Sequence, residues 1–170
     1  MPKKLNLKTI LKENLSDAKG IAVLGVGSEL KGDDRAGMLV VERLKKKYSG
    51  QDPVPPIKLF YGATAPENLT GEIIKFRPTH IIIIDSADVS AEPGTIEVIP
   101  PEQVGGISFS THMMPLKILI DYICQSIKCK VMIIGIQPKT LEYNVPLSPS
   151  VRASVAQVAS AIECAVQGTI

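Results

Sequence analysis

The sequence has little of what several functional classes require. It contains no tryptophan, and aromatic residues make up only 4% of its 170 residues, so the aromatic platforms that stack on single-stranded nucleic acid are not expected. A formal net charge of +2 is too small to indicate a nucleic-acid partner. No apolar run approaches the roughly 20 residues that a bilayer-spanning helix needs, so we expect no membrane insertion.

The cysteines and the N-terminus indicate the compartment. Cys124, Cys129 and Cys164 are an odd number and lack the paired spacing of a metal site, so we interpret them as reduced thiols. The chain begins with basic residues but no apolar segment follows them, which argues against a signal peptide. These features predict a cytoplasmic protein.

Short apolar runs alternate with amphipathic segments along the chain. Continuous apolar runs at 21–26 and within 80–85 are typical of strands buried on both faces. Alternation at 95–99 indicates an exposed or edge strand. The pattern predicts one domain spanning residues 1–170, an α/β fold of three layers: a mostly parallel, twisted sheet of about five strands with helices on both faces. Further strands are predicted at 57–61 and 130–135, and helices at 5–18, from about Asp34 to Tyr48, from Pro66, from Pro115 and after Ser148.

Acidic residues follow two of the predicted strands. Asp34 comes after the first strand, Asp85 ends the isoleucine-rich strand, and His112 precedes a helix. Because the carboxyl ends of parallel strands meet at one edge of a sheet, we expect these three residues to lie there. Two carboxylates and an imidazole suit Zn²⁺, Ni²⁺ or Mn²⁺, and three protein ligands leave coordination positions open. The neighbouring Asp33 is interpreted as the N-cap of the following helix.

These segments have two other interpretations. Gly25 and Gly27 resemble part of a dinucleotide-binding loop, but Leu30 occupies the third glycine position, so we interpret the glycines as permitting a tight turn and close packing. The acid pair, Asp85 and Lys139 together resemble a phosphoacceptor receiver domain that binds Mg²⁺, and this alternative stays open. His80 is predicted at the opposite edge of the sheet, in a structural role.

The motifs taken in order resemble the hydrogenase maturation endopeptidases, and most closely the branch that acts on hydrogenase-3-type [NiFe] hydrogenases. The resemblance extends from about Gly20 to the last helix. It departs from the family at one point, where Ser28 replaces the usual asparagine. The segments that carry it are Gly27–Asp34, Ala65–Asn68, Ile84–Asp88, Pro93–Glu97, Ser110–Pro115 and Gly135–Pro138.

The resemblance implies an aspartic-type endopeptidase that removes the C-terminal extension from the precursor of a [NiFe] hydrogenase large subunit after nickel insertion. The family's catalytic and metal-binding residues correspond to Asp34, Asp85 and His112. Nickel would be supplied by the substrate's active site and would serve as a recognition element. The expected partner is the precursor alone, with the protease as a monomer. A nickel chaperone without protease activity is a further alternative.

Overall fold

The structure, a computed structural model, describes residues 6–109 and 115–168. These residues form a six-stranded sheet covered by α-helices on both faces. The strands are β1 (Ile21–Val26), β2 (Ile57–Ala63), β3 (His80–Asp88), β4 (Ile96–Ile99), β5 (Ser108–Phe109) and β6 (Lys130–Ile136). The helices are α1 (Leu7–Asn14), α2 (Ala36–Tyr48), α3 (Thr70–Phe76), α4 (Leu116–Ser126) and α5 (Pro149–Gln167).

The sheet is parallel except at its margins. Its strand order is β2-β1-β3-β6-β4, with β1 paired in parallel to β2 and β3, and β3 in parallel to β6. The edge strand β4 runs antiparallel to β6, and the two-residue β5 runs antiparallel to the end of β3. The predicted α/β architecture, the three layers and the edge strand are confirmed. The parallel strands bring their carboxyl ends to one edge.

Alternate residues of β3 enter two separate hydrophobic cores. Ile82 and Ile84 pack in the core formed with α1, α2 and α5, whereas Ile81 and Ile83 pack in the core formed with α3 and α4. Successive side chains of a strand point to opposite faces, so four consecutive isoleucines serve both layers. Burial of each isoleucine side chain stabilises the folded state by roughly 1.5–3 kcal/mol. Strand β3 therefore contributes strongly to both cores.

Three helix boundaries differ from the prediction. Helix α1 ends at Asn14 rather than near residue 18. Leu15, in the turn that follows, is still part of the core, so the apolar periodicity continues past the end of the helix and predicted a helix that is too long. Helix α2 begins at Ala36 because a 3-10 turn, Gly32–Arg35, comes first. Helix α3 begins at Thr70 rather than at Pro66, because a 3-10 turn, Pro66–Leu69, comes first. None of the helices in the described ranges is long and apolar enough to cross a membrane.

Candidate active site

Two of the three predicted site residues lie at the carboxyl edge of the parallel strands. Asp34 is in the 3-10 turn that follows β1, and Asp85 is in β3, one residue beyond the last pair that β3 forms with β1. Both are buried, with 1% and 0% of their surface exposed. Carboxylates are rarely buried unless they have compensating partners, so this edge is a candidate for function.

Glycines allow the turn that carries Asp34 to sit directly on the sheet. A Cβ atom on Gly27, whose φ is +138°, would lie 1.8 Å from the Asp34 carbonyl oxygen. A Cβ on Gly37 would lie 2.2 Å from the Ile84 carbonyl oxygen, and one on Gly25 would lie 2.5 Å from the Gly37 carbonyl oxygen. The interpretation of Gly25 and Gly27 as glycines of a tight turn and close packing is confirmed.

Among the described residues, two neutral donors hold the Asp34 carboxylate. The Ser28 amide donates to Oδ2 at 2.8 Å, and the Ser86 hydroxyl donates to Oδ1 at 3.0 Å. Ser28 also accepts a hydrogen bond from the Leu30 amide at 3.2 Å, so the serine makes the local hydrogen bond expected of it. A carboxylate has about four acceptor positions. Asp34 therefore keeps the capacity to contact a cation or a water molecule.

The neighbouring Asp33 has a different role from the one predicted. Its Oδ2 accepts from the Lys139 amide (2.8 Å), the Thr140 amide (3.1 Å) and the Ser148 hydroxyl (2.8 Å), and its Oδ1 accepts from the Ser148 amide (2.7 Å). The prediction that Asp33 caps α2 is wrong, because its carboxylate is used by a distant loop. Ser148 precedes α5 but makes no capping hydrogen bond with its side chain, since its hydroxyl donates to Asp33.

The alternation along β3 decides where Asp85 points. Ile83 and Ala87 belong to the core beneath α3 and α4, so Asp85 between them faces the same side. Ser86 faces the other side, where its hydroxyl reaches Asp34. The two carboxylates thus approach the end of β3 from its two faces.

The third predicted residue, His112, lies outside the described residues. On its N-terminal side β5 ends at Phe109, which pairs with Ala87 of β3. Helix α4 begins at Leu116. Within the described ranges no group of three or more His, Cys, Asp or Glu side chains is placed to hold a metal ion.

His80 lies at the amino end of β3, away from this edge, as predicted. Its Nδ1 is 2.8 Å from the Thr79 hydroxyl, and its Nε2 is 3.2 Å from Asp17 Oδ1. Burial of the ring lowers the pKa of His80 more than the nearby Asp17 carboxylate raises it. Lys130 forms an ion pair with the same carboxylate at 2.8 Å. These contacts join β3, β6 and the segment before β1.

A cavity of about 360 Å³ opens next to Ser86, whose hydroxyl donates to Asp34. Ser86 and Asp88 from the end of β3 form part of its wall, and residues 137–141 form another part. We call residues 137–148, between β6 and α5, the β6–α5 loop. Gln137 at its start accepts a hydrogen bond from the Val89 amide at 2.8 Å through Oε1, which ties the loop to the chain beyond β3.

Comparisons with known proteins show the family to which the chain belongs. The sequence model of the HycI family, described as hydrogenase maturation protease, matches residues 38–165, well over half of the chain. The chain belongs to the hydrogenase maturation protease family. It is 33% identical over 142 residues to the hydrogenase 3 maturation protease of Escherichia coli (strain K12), covering 83% of this chain and 87% of that protein.

Solved structures of this protease family superpose on most of the chain. The crystal structure of the [NiFe] hydrogenase maturation protease HycI from Thermococcus kodakarensis KOD1 has a TM-score of 0.82 at 26% identity, covering 94% of this chain and 98% of that one. The solution structure of the endopeptidase HycI from Escherichia coli has a TM-score of 0.70 at 32% identity, covering 83% and 87%.

Membership in the maturation protease family makes the chain a hydrolase of peptide bonds and confirms the resemblance found in the sequence. The comparisons do not favour the receiver-domain alternative, which also requires an entirely different use of the acid pair. In a receiver domain both acids would be available to Mg²⁺, whereas here the Asp33 carboxylate accepts four hydrogen bonds from protein donors. The β6–α5 loop was not predicted to contribute to the site, because its only local sign in the sequence is Gln137-Pro138 at the end of a strand.

Proposed function

We propose that this protein is an endopeptidase that removes the C-terminal extension from the precursor of a [NiFe] hydrogenase large subunit once nickel has been inserted. Its similarity to the hydrogenase 3 maturation protease of Escherichia coli supports the substrate class. The observation that carries the proposal is Asp34, a buried carboxylate at the carboxyl edge of the sheet to which the described residues donate two neutral hydrogen bonds, fewer than a carboxylate can accept.

Nickel belongs to the substrate in this reaction. Asp34, Asp85 and His112 would contact a nickel ion already held by the precursor, because carboxylate and imidazole groups suit this borderline metal. Three residues of extended chain reach at most about 11 Å, so the connection from Phe109, which pairs with β3 two residues beyond Asp85, is short enough for His112 to act at this edge. Requiring the metal would restrict cleavage to precursors whose active site is already loaded.

Hydrolysis would be assisted by one of the two aspartates. As a water molecule adds to the scissile carbonyl carbon, Asp34 or Asp85 accepts its proton. The proton then passes to the leaving amide nitrogen as the C–N bond breaks. The nickel of the substrate would polarise the carbonyl or the water. The reaction would take place in the cytoplasm, with one chain of a single domain as the acting unit.

The test is intact-mass analysis of nickel-loaded and nickel-free precursor, each incubated with the protein. We expect loss of a short C-terminal peptide from the loaded form only. Asp34→Asn, Asp85→Asn and His112→Ala should each abolish that loss. Asp121→Asn is the matched control, because Asp121 is an exposed carboxylate on α4 whose ion pair with Lys117 involves none of these residues.

Each other outcome has a definite meaning. Cleavage of both precursor forms would keep the protease assignment and remove nickel as the gate. If His112→Ala cleaved at the wild-type rate, His112 would not be part of the site. If no loaded precursor were cut while the protein bound nickel alone, the nickel chaperone would replace the protease.

A further inference from the structure

The β6–α5 loop has little regular structure of its own, yet one buried carboxylate fastens it at two points. It runs for 12 residues without a helix or strand. Asp33 binds its beginning through the Lys139 and Thr140 amides and its end through the amide and hydroxyl of Ser148. The four donors are neutral, and Asp33 is fully buried. All of its roughly four acceptor positions are therefore used within the protein.

Backbone contacts beside Asp33 continue this attachment. The Asp33 amide donates to the Thr140 carbonyl oxygen at 3.0 Å, and the Asn144 amide donates to the Leu30 carbonyl oxygen at 2.9 Å. A Cβ on Gly32 would lie 2.7 Å from the same Thr140 oxygen, so the loop sits closely against the turn. The turn that presents Asp34 and the loop that walls the cavity are thus one connected unit.

The position of the loop shapes the cavity next to Ser86. Residues 137–141 line this 360 Å³ cavity together with Ser86 and Asp88, and the Ser86 hydroxyl donates to Asp34. A displacement of Lys139 and Thr140 would therefore widen or close the cavity at the point where it meets the site. A cavity of about 360 Å³ has room for a few residues of peptide rather than for a folded domain.

We propose that Asp33 is a positioning residue for the proteolytic reaction: by holding the β6–α5 loop it fixes one wall of the groove in which the peptide segment to be cut binds beside Asp34. This inference rests on the proposed function. It divides the acid pair into two tasks, with Asp34 facing the reacting atoms and Asp33 shaping the space for the substrate.

Asp33→Asn tests the inference with almost no change in shape. An amide NH₂ group cannot accept a hydrogen bond, so in either orientation at least one backbone N–H of Lys139, Thr140 or Ser148 faces another donor. We expect the loop to detach locally. With nickel-loaded precursor, KM should rise about tenfold while kcat stays within about threefold, because binding is weakened equally in the ground and transition states. Hydrogen exchange at the three amides should accelerate, while β1 and β3 keep their protection.

Ser148→Ala provides a milder variant, since it removes one hydroxyl donor and leaves the three amide bonds to Asp33. We expect a rise in KM of about threefold, and Ser148→Thr, which retains a hydroxyl, should restore part of it. Ser154→Ala is the matched control. Ser154 is also a buried serine, but its hydroxyl donates to Gly94 and Ser150 rather than to Asp33, so KM should not change.

The outcomes separate this inference from the function on which it rests. A wild-type protein that cuts no precursor overturns both. If the wild type cuts the precursor and Asp33→Asn has an unchanged KM, only the positioning role is overturned. This holds whether or not amide exchange in the loop accelerates. Loss of kcat with unchanged KM would also overturn it, because that result would place Asp33 among the residues that act on the transition state. If Asp33→Asn fails to fold, the Ser148 and Ser154 variants decide.

Discussion

Gly37→Ala should destabilise the protein, although the same change usually stabilises a helix. Gly37 is the second residue of α2, and alanine is favoured over glycine in helices by about 1 kcal/mol. Here the added Cβ would lie 2.2 Å from the Ile84 carbonyl oxygen and 2.7 Å from the Val26 carbonyl oxygen, whereas real Cβ atoms essentially never approach closer than 3.0 Å. Both oxygens belong to the backbone of central strands, so neither can rotate away.

The start of α2 must therefore move off the sheet by roughly 0.8 Å, which is the difference between the 2.2 Å approach to the Ile84 oxygen and the 3.0 Å limit. Overpacking of this kind costs typically 1–3 kcal/mol and sometimes more, and the cost exceeds the gain in helix propensity. We expect a net loss of about 2 kcal/mol in the free energy of unfolding. For a chain of this length that corresponds to a fall in Tm of roughly 4–8 °C.

Gly71→Ala is the matched control for this prediction. Gly71 is the second residue of α3, and a Cβ there would meet nothing within 4 Å. The expected gain is about 0.4–1 kcal/mol, seen as a small rise in Tm. Thermal and urea unfolding followed by circular dichroism would measure both variants. If Gly37→Ala were as stable as Gly71→Ala, the close approach of α2 to the sheet would be refuted.

Three further predictions concern single side chains. Asp34→Asn should lower the rate of precursor cleavage by about 100-fold or more, with Tm near the wild-type value; equal losses in Asp121→Asn would contradict a specific role. Burial lowers the pKa of His80 below its value in the unfolded chain, so the unfolded state binds the proton more readily. The contribution of His80 to the free energy of unfolding is therefore present above about pH 6.5 and is lost as the pH falls through the pKa of the folded state. His80→Gln should flatten that part of a urea-unfolding profile against pH, and an unaltered profile would exclude His80 as the cause. Burial, and to a smaller extent the neighbouring Cys124, raises the pKa of the Cys129 thiol to about 12, so only about one molecule in ten thousand carries the thiolate at pH 8. Mass analysis after iodoacetamide treatment should therefore find Cys129 unmodified. Rapid labelling of Cys129 would contradict this prediction, because it would show that the thiol is accessible and ionised.

The central strands could be predicted from the sequence because their signals are local. Ile21–Val26 matches β1 at both ends, and the run Ile81–Ile84 lies inside β3. Alternation along residues 95–99 correctly indicated the edge strand β4. The acids that follow these strands were placed at the correct edge because the carboxyl ends of parallel strands must meet there. Each inference needed only neighbouring residues and one rule of topology.

The role of Asp33 could not be found in this way. An aspartate before a helix is a good N-cap by local rules, but its partners lie 106 to 115 residues further along the chain. Ser148 makes no side-chain capping bond at the start of α5 for the same reason, since its hydroxyl donates to the distant Asp33. By local rules Asp33 and Ser148 are both suitable N-cap residues. Their side chains bond to each other instead, and local rules carry no information about such a long-range hydrogen bond. The two-residue strand β5 is likewise too short to leave a periodic signal.

The arrangement of Asp34 and Asp85 around β3 bears on where a metal can meet them. Asp34 reaches the strand through Ser86 on the face of α2, and Asp85 lies on the face of α3 and α4. Since the strand itself separates the two faces, an ion that contacts both carboxylates must sit beyond the edge of the sheet rather than within either layer. An ion beyond the edge has an outer side that faces away from the sheet. We therefore expect an ion held there to be completed by ligands from another molecule, as it would be if nickel arrives already bound to the precursor.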